Sequence, residues 1–291
     1  MQRVVPSSVH LEVRVAPKHP SVTTLGAERM GSGTLVAEDL VLTVNYVTLG
    51  AAAVTVTGPH GRRAKGEVVA RDFDSGLALV KIPRGLGPPA RLGEAAAAVP
   101  GQPVFLLASA SPTARRVRPG VLTEVGPFDA TWEYMLDRAL KASAANPGFG
   151  GGALCDLQGR MLGVVSLNLA EVARASLAIP VDLYRGHQDE LLRHGRVLSR
   201  PPRAWLGLLS QSGAGGLQVV AVIAGSPAAR AGVLEGDLLI GLDVTRLGSR
   251  REFYTDLWKH RPGEPVLLSI LRGGTPKAIE VVAGDRAEFY R

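Results

Sequence analysis

From residue 8 to about residue 180 the chain is cut into short β-branched and apolar runs by glycine and proline, at intervals too short for helices of ordinary length. Eleven runs read as strands: Val9–Val15, Gly33–Ala37, Leu40–Val44, Ala53–Thr57, Lys65–Ala70, Leu77–Ile82, Pro103–Leu107, Arg116–Val125, Gly152–Cys155, Met161–Leu167 and Ala175–Ile179. Side chains of this kind suit a pleated, half-buried surface. Gly58-Pro59, Gly87-Pro88-Pro89 and Pro100-Gly101 supply turns between them. A series of short strands without a long helical period predicts a mainly β architecture, either a sandwich or a barrel. The one helical candidate in this half is Trp132–Lys141.

The chain has 291 residues, more than the usual 100–200 of one domain, so two domains are expected. Residues 182–194 read as a helix with Asp182 at its N-cap and Gly195 just past its end. Gly186 weakens that helix by about 1 kcal/mol relative to alanine. Arg200-Pro201-Pro202-Arg203 reads as a stiff linker, because successive prolines fix φ and favour extended backbone. The division is therefore residues 1–185, a connecting stretch 186–203, and a second domain 204–291. In the second domain Leu217–Ile223, Val266–Leu271 and Ala278–Val282 read as strands, and Arg250–His260 as a helix.

Composition narrows the function classes. The net charge is +7, and only six of the thirty-three basic residues are lysine. The arginines occur singly or in pairs such as Arg62-Arg63, Arg115-Arg116 and Arg250-Arg251. They form no dense stripe with interleaved aromatics, which argues for a solvated surface and against nucleic-acid binding. Cys155 is the only cysteine, so no internal disulfide and no cysteine-based zinc site can form. It reads as a buried, inert thiol within a strand. No metal site and no cofactor is expected. No apolar run reaches eighteen residues, so no transmembrane helix is expected. The first residues lack the apolar core of a signal peptide. This leaves a cytoplasmic chain if Met1 is the native start, or an envelope or periplasmic one if an export signal has been removed.

Three segments carry the functional argument: Leu42-Thr-Val-Asn-Tyr46-Val, Asp74-Ser-Gly76-Leu-Ala-Leu-Val-Lys81 and Asn146-Pro-Gly148-Phe149-Gly150-Gly-Gly-Ala-Leu154. With Gly31-Ser-Gly-Thr before them and Ser176-Leu-Ala-Ile-Pro after them, their order resembles the protease domain of HtrA/DegP-type trypsin-like enzymes. Trp205-Leu206-Gly207-Leu208, Gly225-Ser-Pro-Ala-Ala-Arg-Ala-Gly and Glu235-Gly-Asp-Leu-Leu resemble the PDZ domain that follows it. The resemblance implies a chymotrypsin-like double β-barrel and then a PDZ module. It also places Tyr46 where that family has its general base, Gly76 where it has its aspartate and Gly150 where it has its nucleophile.

A serine protease needs an oxygen nucleophile, an imidazole to take its proton and a carboxylate to orient the imidazole. Glycine offers none of these, and a phenol with an ordinary pKa near 10 is a poor base at neutral pH. Tyr46 is expected to lean into the space vacated at Gly76 and Gly150. The backbone of Gly148, Phe149 and Gly150 remains a candidate for an oxyanion-hole-like row of N–H groups in a flexible glycine loop. In the second domain the resemblance implies a groove for protein C-termini or unfolded peptide segments. Trp205, Leu206, Gly207 and Leu208 would form its carboxylate loop, and Phe253, Tyr254, Leu257 and Trp258 its helical wall.

The reading is a catalytically inactive pseudoprotease that acts as a peptide-binding scaffold or as a regulatory subunit for an active relative. The alternatives are an active serine endopeptidase with a displaced triad and a structural subunit of a larger complex. No Phe, Tyr or Trp precedes Tyr46, which argues against the aromatic-packed trimer usual in that family.

Overall fold

A computed structural model describes residues 4–169, 175–213 and 215–291. Its contacts divide the chain into two compact units, Met1–Pro127 with Asp137–Leu198, and Phe128–Leu136 with Ser199–Arg291. The second unit thus begins at Ser199 and takes in a short segment that the sequence division places in the first domain.

The first unit holds two closed antiparallel barrels. Strands β1 (Ser8–Val15), β2 (Glu28–Ala37), β3 (Leu40–Val44), β4 (Ala51–Thr57), β5 (Arg63–Asp72) and β6 (Leu77–Lys81) close in the order β1-β2-β3-β6-β5-β4. Leu11, Leu35, Val41, Leu42, Val56, Leu77 and Leu79 are buried along this barrel wall with at most 1% exposure each, and consecutive residues such as Val41 and Leu42 point to opposite faces of it. Strands β7 (Pro103–Ser109), β8 (Arg115–Ala130), β9 (Tyr134–Ala142), β10 (Ala153–Asp156), β11 (Met161–Asn168) and β12 (Ser176–Pro180) close the second, in the order β10-β11-β12-β9-β8-β7. Its core packs Val104, Leu106, Leu122, Leu140, Leu154 and Val165 together.

Two expectations fail here. Trp132–Lys141 is not a helix, since Tyr134–Ala142 forms β9 and pairs with β12 through Ala142↔Ser176, Lys141↔Leu177 and Leu140↔Ala178. Leu, Ala, Lys and Arg favour helix in isolation, but closing the barrel buries Leu136 and Leu140 only if the run is extended. The 182–194 helix is two short helices, Asp182–Arg185 and Gln188–His194, separated at Gly186-His187. Asp182 does not cap it; its carboxylate accepts the Ala96 N–H at 2.6 Å. Gly195 does end it, left-handed at φ +70°.

The second unit is built on a sheet ordered β14 (Leu208–Gly213), β15 (Gly216–Val222), β16 (Leu238–Leu242), β18 (Pro265–Arg272) and β19 (Thr275–Val282). A short β17 (Thr245–Arg246) pairs with β16, and β13 (Ala204–Trp205) pairs with β20 (Gly284–Asp285). The helix Arg250–Leu257 packs on this sheet. Its start is fixed by a full capping box, with the Ser249 hydroxyl and Glu252 carboxylate each taking the other's backbone N–H. Phe253, Tyr254 and Leu257 are completely buried beneath it, among Leu206, Leu208, Leu217, Val219, Leu268 and Ile270.

Candidate functional site

The β3–β6 pairing ends at Val44↔Leu77, so the two chains leave the ladder side by side and the Asn45 N–H donates to the Gly76 carbonyl at 2.7 Å. Tyr46 is the second residue of the helical turn Asn45–Thr48 and is half-buried. Its hydroxyl donates to the Ser166 carbonyl at 2.8 Å. Ser166 is the extra residue where the β11–β12 register shifts between Val165 and Leu167, and such a bulge re-aims its carbonyl out of the ladder. Burial pushes the Tyr46 phenol up to about 12, so it stays neutral and is no base at ordinary pH.

Gly150 faces that hydroxyl. A Cβ added there would stand 1.9 Å from Tyr46 Oη and 3.3 Å from the Ser166 oxygen. The tyrosine therefore takes the volume a side chain at 150 would need. Gly76 adopts φ +78°, the left-handed region that disfavours side chains, and its N–H donates to the Asp72 carbonyl. Tyr46 thus abuts Gly150 directly and Gly76 through its neighbour Asn45.

The glycine loop is pinned rather than flexible, contrary to the sequence expectation. An added Cβ at Gly148 would meet the Ser109 oxygen at 2.2 Å, and one at Gly152 the Leu107 oxygen at 2.4 Å. The Phe149 N–H donates to the Ser109 carbonyl at 2.9 Å, which removes it from any oxyanion-binding row. The Gly150 carbonyl accepts from Ser32 N–H at 2.7 Å. The glycines are there because backbone passes backbone too closely for a Cβ.

Two serine–histidine pairs exist among the described residues, both outside the three segments. His10 Nδ1 lies 3.0 Å from Ser109 Oγ, which lies 3.0 Å from Ser32 Oγ. All three residues are fully buried at 0% exposure, so no substrate carbonyl reaches the oxygen. Burial, helped by Arg115 and Arg63 against Glu12, holds this imidazole below its ordinary pKa. His19 Nδ1 lies 2.7 Å from Ser21 Oγ, but that oxygen accepts from the Arg29 guanidinium at 2.5 Å and is itself buried. Cys155 is fully buried, and desolvation with the nearby Asp156 pushes its thiol up, so it is no nucleophile either.

In the second unit the loop before β14 turns at Gly207, φ +82°, where a Cβ would collide with the Ser226 side chain at 2.2 Å. This turn aims three successive N–H groups at one point, and a carboxylate is there. Glu133 Oε2 accepts from Leu206 N–H at 2.9 Å, and Oε1 from Gly207 and Leu208 N–H at 2.8 Å each. The residues before Glu133 run along the free edge of β14. The Ser210 N–H donates to the Thr131 carbonyl at 2.8 Å, and the Tyr254 hydroxyl donates to the Ala130 carbonyl at 2.7 Å while accepting the Glu133 N–H at 2.8 Å. Arg250 closes the far end, with Nε to the Asp129 carboxylate at 2.6 Å and Nη2 to its carbonyl at 2.9 Å.

Of the residues expected to bind peptide, Leu206, Gly207 and Leu208 contribute N–H groups and Tyr254 its hydroxyl. Phe253 and Leu257 are fully buried in the same core cluster as Leu206, Leu208 and Tyr254. Trp205 is also buried and packs on Phe289, while Trp258 stacks on Tyr254 and carries the Arg203 guanidinium 4.1 Å above its ring. Sequence reasoning missed Glu133, Ser210 and Arg250. The capping box beginning at Ser249 marked Arg250 as the first residue of the helix and was the one usable signal.

Glu133 is buried among Tyr254, Tyr290 and Arg286, whose Nη1 lies 3.4 Å from the Glu133 carbonyl, with the Arg250–Asp129 pair beyond Tyr254. Desolvation pushes its carboxyl up to about 7, against the opposing pull of the three N–H donors and Arg286. A carboxyl raised in the fold gives stability that is complete below its ordinary value near 4.5 and is lost as pH rises through 7. All three tryptophans, Trp132, Trp205 and Trp258, belong to this unit. Urea unfolding followed by tryptophan fluorescence should therefore show a loss on the order of 3 kcal/mol between pH 4 and pH 8. Glu133→Gln should flatten that dependence.

Residues 31–164 match the trypsin-like peptidase domain family, a span that includes Tyr46, Gly76 and Gly150, and residues 199–282 match the PDZ domain family. The chain is HtrA-type, a trypsin-like domain followed by a PDZ domain. It is 27% identical over 290 residues to the "Probable periplasmic serine endoprotease DegP-like" of Halomonas elongata, covering 92% of this chain and 60% of that one. It is 30% identical over 313 residues to the serine protease PepD of Mycobacterium tuberculosis, covering 97% and 64%. This HtrA-type chain thus spans about 60% of the DegP-like relative's length. Among solved structures, the HtrA-type protease AlgW with a decapeptide superposes with a TM-score of 0.58 at 24% identity, covering 98% and 97%. That likeness is one of fold. Among the described residues no helix is long and apolar enough to cross a membrane, and no three acidic, histidine or cysteine side chains gather as a metal site would need.

Proposed function

We propose that this HtrA-type chain is a pseudoprotease that binds protein C-termini or unfolded peptide segments through its PDZ domain, as a scaffold or as a regulatory subunit. The observation that carries the reading is the Tyr46–Gly150 contact: where the resemblance asks for a nucleophile, a phenol fills the space to within 1.9 Å of the missing Cβ. Gly76 brings no carboxylate to orient a base, and the neutral phenol has no proton-accepting role at ordinary pH. Similar solved proteases carry a decapeptide or a tripeptide, and a loop with three convergent N–H groups suits a peptide carboxylate.

The displaced-triad reading has one observation in its favour, the His10–Ser109 pair at 3.0 Å. Its burial speaks against it. Incubation of the whole chain with a fluorophosphonate probe and with casein separates the two readings. The expected result is no labelled serine and no casein fragments. Labelling at Ser109 or any other serine, blocked by heat denaturation, would refute the pseudoprotease reading.

A further inference from the structure

We propose that Asp129–Glu133 is a built-in pseudo-ligand of the PDZ groove: its Glu133 side-chain carboxylate holds the seat of a peptide's C-terminal carboxylate, so a client binds only by displacing it. The inference rests on the peptide-binding reading above and adds its regulation.

The contacts are those of an added strand. A carboxylate meets three convergent backbone donors at Leu206, Gly207 and Leu208, the strongest kind of neutral-donor recognition for an anion. Two residues back, the Thr131 carbonyl takes the Ser210 N–H on the open edge of β14. Two further back, Asp129 is held by Arg250, whose Nη1 also reaches the Ser210 carbonyl at 3.2 Å. Strand edge, carboxylate loop and helix are all engaged, so edge pairing and carboxylate capture by another chain require that these bonds break first. Glu133 also pays for its place in backbone strain, at φ +40° for a non-glycine residue. Such a conformation persists where surrounding bonds over-determine it. It also makes the segment prone to leave once a competitor supplies its own carboxylate.

When the binding-competent state is a minor one, the apparent affinity falls by its population, and releasing the internal segment restores it. The test uses the whole chain and an N-terminally immobilised library of random heptapeptides, in free-acid and C-terminally amidated forms. Free-acid peptides should bind Glu133→Gln and Glu133→Ala roughly 10- to 100-fold more tightly than the wild type, with amidated peptides excluded. Without peptide, the Leu206, Gly207 and Leu208 amides should lose hydrogen-exchange protection in both variants. Equal affinity of wild type and variants, or protection unchanged at 206–208, overturns the pseudo-ligand and leaves the peptide-binding reading standing. Lost protection at 206–208 with no free-acid binding by any form upholds the internal contact and overturns the peptide-binding reading. Should a variant fail to fold, the wild type decides: saturating free-acid peptide must raise exchange at the Glu133 amide, and no change there overturns the proposal.

Discussion

Gly150→Ser should destabilise the first unit by about 2–4 kcal/mol and create no protease. The added Cβ would lie 1.9 Å from Tyr46 Oη, well inside contact distance, so the ring must move. Moving it breaks the 2.8 Å bond from the hydroxyl to the Ser166 carbonyl. Overpacking of this kind costs about 1–3 kcal/mol, and the stranded carbonyl adds about 1 kcal/mol. Tyr46→Ala alone loses a large ring and the same bond. The double variant Tyr46→Ala with Gly150→Ser should be less damaged than the sum, with a coupling of roughly 1–3 kcal/mol in favour of the pair. Urea unfolding followed by far-UV circular dichroism measures all three, and additive losses would show that the two positions do not share one space. Gly76→Asp carries its own penalty of about 1–2 kcal/mol, because φ +78° places a Cβ against the carbonyl. Placing Ser, His and Asp together at 150, 46 and 76 therefore meets a Cβ clash at the first position and a left-handed backbone at the last.

How much of this was legible in the sequence follows from which forces are local. The strands were readable because β-branched alternation between glycine and proline turns leaves few other folds, and β1–β8 and β10–β12 all overlap the expected runs. β9 was not readable: its Leu, Ala, Lys and Arg content points to helix, and only pairing with β12 overrides it. The 182–194 helix was misread at Gly186, where about 1 kcal/mol of glycine cost suffices to split the run into a pair of short helices. At the candidate sites Tyr46, Gly76 and Gly150 were visible as letters, but the Tyr46–Gly150 contact depends on a bulge at Ser166 that no local rule announces. Glu133 was invisible for a stronger reason. It is one acidic residue at the tip of a hairpin, and its meaning depends on donors 73 to 75 residues further along the chain.

Arg29→Met should cost about 3–5 kcal/mol, far more than loss of any exposed arginine. Arg29 is 7% exposed, and its bonds run to uncharged oxygens: Nε to the Gly26 carbonyl, Nη1 to the Tyr46 and Leu49 carbonyls, Nη2 to the Ser21 carbonyl and hydroxyl. One planar group thereby ties the Val22–Leu25 turn to the Asn45–Thr48 turn that carries Tyr46. Methionine fills some of the volume but leaves these buried acceptors short of a donor, at about 1–3 kcal/mol for each that finds no other partner. Arg29→Lys should be nearly as harmful, since a point ammonium cannot span the directions the fork covers. Arg63→Met is the matched control. It also removes one positive charge, but its partner Glu12 is 35% exposed and Arg63 itself 59%, so the pair is worth at most about 1 kcal/mol. A comparison of urea midpoints at equal m-value isolates the buried network from net charge. If Arg29→Met and Arg63→Met shifted the midpoint equally, the turn that holds Tyr46 would owe its position to packing alone, and the guanidinium would be a passenger in it.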